Sequence, residues 1–100
     1  MTTTRQEIID CLTSQVGYFF ADEAERIADA LADKSDATKI LLRALDAGDY
    51  TDENRAKLAD IITRADSPVQ AYVDVVVVDS GWAGQSVAGP WADAIVQAAR

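Results

Sequence analysis

Apolar residues recur at helical spacing along most of this chain, and their interruptions mark where helices should stop. Thr4-Arg5-Gln6-Glu7 reads as a capping box, with the Thr4 hydroxyl accepting from a free backbone N–H and Glu7 reaching back. Ile8, Ile9, Leu12 and Val16 follow as the buried face of a first helix. Gly17 interrupts it, and Tyr18, Phe19 and Phe20 form an aromatic corner expected to plug into the core. In a second helix, Phe20, Ala24, Ile27 and Leu31 make an apolar stripe at steps of four, three and four. A third is expected to start with Ser35 and Asp36 as caps. It buries Ile40, Leu41, Ala44 and Leu45 and stops at Gly48, a residue suited to the left-handed terminal position. Thr51-Asp52-Glu53-Asn54 opens a fourth, with acids at its positive end and Leu58, Ile61 and Ile62 inward.

The segment SPVQAYVDVVVVDSG pulls two ways. Five valines between Val73 and Val78 favour a strand. Ser67-Pro68-Val69-Gln70, however, has the form of a helix start: a Ser cap, Pro in the first turn, Gln three residues after the cap. A strand here could pair only with the short segment from Trp82 to Ala88, and a two-stranded hairpin is marginal without support. Valine costs a helix only about half a kcal/mol per residue, which packing can offset. The preferred fold is therefore all-α, with five to six short helices in a single compact domain over residues 1–100. The alternative is α+β, with a hairpin in residues 69–88 packed on helices. DSGWAGQSVAGP reads as a small-residue loop, after which Pro90 opens a last helix running inward through Trp91, Ile95 and Ala99.

Charge changes the picture from fold to surface. Seventeen acids against nine bases give a net charge of −8 and a pI near 4.2. Phosphate binding needs Lys and Arg to displace counterions, so nucleic acid and anionic membranes are poor direct partners. Basic proteins are the favoured ones, reached through electrostatic steering. The single cysteine, Cys11, excludes an internal disulfide and reads as a small buried hydrophobe. With no charged-then-apolar leader and no apolar run of membrane-spanning length, the expected location is the cytoplasm.

The acids of the second helix fall in file. At about 100° per residue, Asp22, Glu25, Asp29 and Asp33 lie within about 80° of arc, opposite the apolar stripe, and rise over about 16 Å. Glu25–Asp29 and Asp29–Asp33 are like-charge pairs four residues apart, an arrangement that costs helices a few tenths of a kcal/mol each. Residues Ala65 to Ala99 carry four acids (Asp66, Asp74, Asp79, Asp93) and no Lys or Arg. Uncompensated repulsion of this kind suits a surface that meets positive charge; the plain reading is a solvated helix face. The basic residues gather elsewhere: Lys39, Arg43, Arg55, Lys57 and Arg64 are expected to pair with local acids such as Asp46, Asp49, Asp52 and Asp60.

Catalytic chemistry finds little equipment. There is no histidine, which removes the usual neutral-pH base and the commonest transition-metal ligand. A calcium loop counted from Asp46 would need ligands where Gly48 and Tyr50 stand, glycine where Thr51 stands and Glu where Lys57 stands. Asp79-Ser80-Gly81 lacks the leucine of the acyl-carrier attachment motif, and no glycine pattern forms a phosphate loop. No catalytic residue, metal ligand or cofactor is expected. Trp82, between Gly81 and Ala83-Gly84, is a candidate interface anchor.

In size, acidity and its Asp/Ala-rich helical style, the chain resembles the small acidic inhibitors of phages and mobile elements, including anti-CRISPR proteins. That resemblance implies a non-enzymatic inhibitor that occupies a basic groove of an RNA-guided surveillance complex. Asp22, Glu25, Asp29 and Asp33, with Trp82, would meet the Lys and Arg that grip target DNA. The competing expectation is a structural or regulatory helical subunit, or a homodimerising module, whose acidity serves solubility.

Overall fold

A computed structural model describes residues 4–15 and 19–100, and it is all-α there. Six helices follow one another: α1 (Arg5–Thr13), α2 (Ala21–Leu31), α3 (Ala37–Asp46), α4 (Asp52–Arg64), α5 (Pro68–Ala83) and α6 (Ala88–Ala98). The hairpin alternative for residues 69–88 is thereby set aside. Packing runs round a ring, α1 on α2, α2 on α6, α6 on α3, α3 on α4 and α4 on α5, closed by contacts of α5 with α1 and α3. The core is one cluster fed by every helix, with Leu12, Ile27, Leu41, Leu58, Val75 and Ile95 wholly buried.

Local chemistry explains most boundaries. The capping box at α1 forms in both directions, Glu7 N–H donating to Thr4 and Thr4 N–H to Glu7. Thr51 accepts from Asn54 N–H at the head of α4. Ser67 accepts from Gln70 N–H at the head of α5, with Pro68 in its first turn. That start outweighs the valines. Val69, Val73, Val75 and Val76 are all buried, so packing offsets their weak helix preference.

Several expectations are corrected. Phe19 and Phe20 precede α2, with Phe20 at its cap in extended backbone, where successive side chains point to opposite sides. Phe19 is buried against Tyr72, with ring centroids 5.3 Å apart, and Phe20 stands 70% exposed. Val16, Gly17 and Tyr18 lie outside the described residues. Asp36 occupies the cap position of α3 without a side-chain capping bond. Gly48 is not a left-handed stop: α3 ends at Asp46 with Ala47 as its cap, and Gly84 is the one described glycine with positive φ, at 74°. Gly48 serves a close approach instead. A Cβ there would collide with the Tyr50 ring as it stands, so glycine leaves the ring its place.

α5 also runs further than the small-residue loop allowed, through Asp79, Ser80 and Gly81 to Ala83, with Gly84 as its left-handed cap. α6 begins at Ala88, two residues before Pro90. The turn between them is stitched by Val87 N–H donating to Ser80 Oγ at 3.0 Å. A second stitch is the buried Tyr72 hydroxyl, which donates to the Ala88 carbonyl at 3.1 Å.

Candidate protein-binding surface and a buried carboxylate

α2 buries Ala24, Ile27, Ala28, Ala30 and Leu31 and turns its charged residues outward. Asp22, Glu25 and Asp29 share the outer face, exposed to solvent. Asp33 does not continue the file: the helix ends at Leu31, Ala32 is extended, and Asp33 sits in the turn at φ 58°. Aspartate tolerates that left-handed conformation better than most side chains. The ridge is therefore three acids long, with a fourth displaced beyond its end.

Its members are not electrostatically equal. Arg5 of α1 reaches across to Asp29, Nε to Oδ1, at 2.6 Å. The hydrogen bond to Asp29, then its charge, raises the Arg5 guanidinium above its ordinary value, and Glu25 adds a smaller pull in the same direction. Among the described residues, Asp22, Glu25 and Asp33 have no ion pair. The second arginine near this face, Arg26, pairs with Asp93 of α6, and that hydrogen bond raises its guanidinium too. Beyond Asp29, a hollow of about 300 Å³ brings Arg26, Lys34 and Arg100 around Asp29, with Ala30, Val96 and Ala99 as its apolar lining. The far end of α2 is thus mixed in charge, and the anionic stretch is its first two turns.

Other pairings follow the chain locally. Arg64 pairs with Asp60 at 2.8 Å and Lys57 with Glu53 at 3.3 Å, each four residues apart. Arg43 approaches Asp36 at 3.9 Å, while Arg55 donates to the Gly48 carbonyl at 3.5 Å. Asp46, Asp49 and Asp52 have no ion pair among the described residues, so much of the negative charge is left in solvent. Trp82 lies in the last turn of α5, 44% exposed, accompanied on that helix by the exposed Val77. Cys11 is half-buried against the core.

A different carboxylate, not among the residues that the sequence singles out for binding, lies toward the end of α5. Asp79 is 8% exposed and has no ion pair among the described residues. Instead its Oδ2 accepts the Tyr50 hydroxyl at 2.6 Å and the Trp91 indole N–H at 2.9 Å. Two neutral donors share one oxygen of a buried charge, and hydrogen bonds to charged groups are stronger than neutral ones. Burial first, and then this bond, hold the Tyr50 phenol far above its usual range. Tyr72, deeper still, is raised mainly by burial. The cluster ties the loop after α3 to α5 and α6, and it floors a cleft of about 380 Å³. The cleft is walled by Asp49, Tyr50 and Trp91, with Ala44, Ala47, Val87, Pro90 and Ala94 as its apolar sides.

The signal for Asp79 was in the sequence. An acid stands four residues after Val75 and seven after Tyr72, on the inward face of an apolar helix, where burial demands a partner. Two residues with polar-tipped aromatic rings, Tyr50 and Trp91, were available to supply it. No group of three or more Cys, Asp or Glu side chains gathers among the described residues as a metal site would. No described helix is long and apolar enough to cross a membrane. No protein-family model matches the chain, and neither curated proteins nor solved structures give a significant match to it.

Proposed function

We propose that this protein is a non-enzymatic binding module that docks its acidic surface on a basic protein surface, in the manner of an anti-CRISPR inhibitor. The groove it occupies would otherwise hold nucleic acid, and an RNA-guided surveillance complex is the partner class that the chain's general character suggests. The observation that carries this reading is the exposed head of α2. Asp22 and Glu25 stand in solvent without an ion pair among the described residues, on a chain of net charge −8. Asp33 adds a third free carboxylate, and Trp82 offers an aromatic anchor. Asp29 contributes less, because Arg5 already answers it. Direct binding to nucleic acid or to an anionic membrane runs against the same charge.

The mechanism is steric and electrostatic. Carboxylates meet the Lys and Arg that grip DNA phosphates, and no bond is made or broken. The test is target-DNA binding by a panel of purified RNA-guided surveillance complexes, with and without the protein, across a salt series. Inhibition that weakens with added salt, and drops about tenfold or more in Asp22→Lys/Glu25→Lys, is the expected result. Full inhibition by that double variant overturns the role of the α2 acids. Absence of inhibition across the panel removes the surveillance-complex partner.

One observation favours a second reading, a helical module that associates with itself or with one dedicated subunit. Phe20, Val77 and Trp82 are large apolar side chains left open, and such residues anchor interfaces. A salt-insensitive dimer in sedimentation equilibrium, abolished by Trp82→Ala, would select it over the inhibitor.

A further inference from the structure

We propose that the Tyr50–Asp79–Trp91 cleft is a receptor for a single organic cation, an alkyl-ammonium or alkyl-guanidinium group. Three features converge there. Asp79 is a nine-tenths-buried carboxylate with one oxygen spoken for: both of its donors, Tyr50 and Trp91, go to Oδ2. Oδ1 accepts nothing from the described residues. Asp79 lines the cleft, and its Oδ1 is not among the sealed, unbonded side-chain atoms of the described residues, so it keeps contact with solvent. The cleft lining holds two carboxylates, Asp49 and Asp79, and no Lys or Arg. Arg55 of α4 is not part of that lining and donates through one terminal nitrogen to the Gly48 carbonyl at 3.5 Å.

The second feature is aromatic. Tyr50 and Trp91 line the cleft with ring centroids 6.4 Å apart and planes 31° from parallel. Ring faces attract cations, and more strongly where water is excluded. The third is the apolar side formed by Ala44, Ala47, Val87, Pro90 and Ala94, which suits the methylene stem of a long cation with its charged head on the carboxylate. The volume, about 380 Å³, falls toward the small end of ligand sites, which start near 300 Å³.

Geometry also constrains the ligand. With Oδ2 occupied, a guanidinium cannot lay its fork on both oxygens, and only one N–H can bond to Oδ1. The usual advantage of arginine over lysine is thereby removed. A bare inorganic cation gains nothing from the apolar side. This site lies on α3, α5, α6 and the loop after α3, and it needs none of the α2 acids. It does not rest on the inhibitor reading.

The experiment uses the whole protein labelled with ¹⁵N, following the Trp91 indole N–H resonance, with the Trp82 indole as internal control. n-Butylammonium, n-butylguanidinium and n-pentanol are titrated separately, together with an acetylated, amidated Gly-Gly-Lys-Gly-Gly peptide. Both small cations are expected to shift Trp91 saturably with affinities within about threefold of each other, well under the tenfold that 1.4 kcal/mol would give. Pentanol should bind at least about tenfold more weakly. Asp79→Asn keeps an oxygen for Tyr50 and Trp91 and should lower cation affinity about tenfold. Ala94→Leu leaves the carboxylate untouched and should block the cleft by bulk. Tighter binding of the peptide identifies a protein side chain as the occupant, and preference for the small cations identifies a free organic cation. An equal response to pentanol, or unchanged affinity in both variants, overturns the site. Because Asp22→Lys/Glu25→Lys should leave these titrations unaltered, failure here and failure of the inhibitor reading are separable.

Discussion

Asp29 and Asp79 are the same side chain used in opposite ways. Asp29 stands on α2 in water and is met by a full charge, Arg5, from another helix. Asp79 is sunk into the end of α5 and is met by no cation among the described residues, only by a phenol and an indole. In water a matched pair contributes little, because solvent screens it and two flexible side chains must be held still. Inside the protein, a carboxylate without hydrogen bonds would cost several kcal/mol, so its donors become obligatory. The exposed acid is therefore free to change partners, and the buried one determines where three segments of chain must sit.

The comparison breaks most visibly at Trp91. Trp91→Ala removes a 4%-exposed side chain and one donor to Asp79 together. Large-to-small changes of this kind cost about 3 to 5 kcal/mol, read as a lowered denaturant midpoint. An intermediate effect is expected from Tyr50→Phe, which leaves the ring in place and removes only the hydroxyl. Deleting a bond to a charged group costs about 1.5 to 3 kcal/mol, and the half-exposed position of Tyr50 favours the lower end.

Alkaline pH sharpens the same point. Both Tyr50 and Tyr72 hold their protons above the ordinary value of 10.0 in the folded state. The unfolded chain releases those protons first, so their contribution to stability is complete below pH 10 and declines as pH rises beyond it. Tyr50→Phe should flatten that decline in part, leaving the share due to Tyr72. Thermal melts across pH 8 to about 11.5 measure it.

At the weak end of the series, Arg5→Ala should leave the melting temperature within experimental scatter, since the Arg5–Asp29 pair is solvent-screened. Its effect should appear in binding. Asp29 released from Arg5 lengthens the free anionic stretch, and association with a basic partner should quicken at low salt. Loss of stability comparable to that of Tyr50→Phe would show that the two carboxylates are not as different as their surroundings suggest.

How far the sequence carried depends on whether a feature is local. Thr4-Glu7, Thr51-Asn54 and Ser67-Gln70 close their caps within three residues, and periodic apolar positions set the helices they start. The valine run was ambiguous because β-branched residues suit either element, and the cap at Ser67 resolved it. Phe20 and Asp33 were misplaced because each lies just outside α2, where the 100° rule has ceased to apply. The Arg5–Asp29 bridge spans 24 residues and the Tyr50–Asp79 bond spans 29. Pairings at that distance follow from how helices pack round the ring, which no local pattern encodes.

Gly48 shows how little separates that arrangement from its loss. The Tyr50 ring lies where a Cβ on Gly48 would collide with it, and from there the phenol donates to Asp79. A single hydrogen thus sets the clearance between one loop and a carboxylate on a distant helix. Any larger residue at this position would displace the Tyr50 ring and, with it, the phenol that Asp79 accepts from.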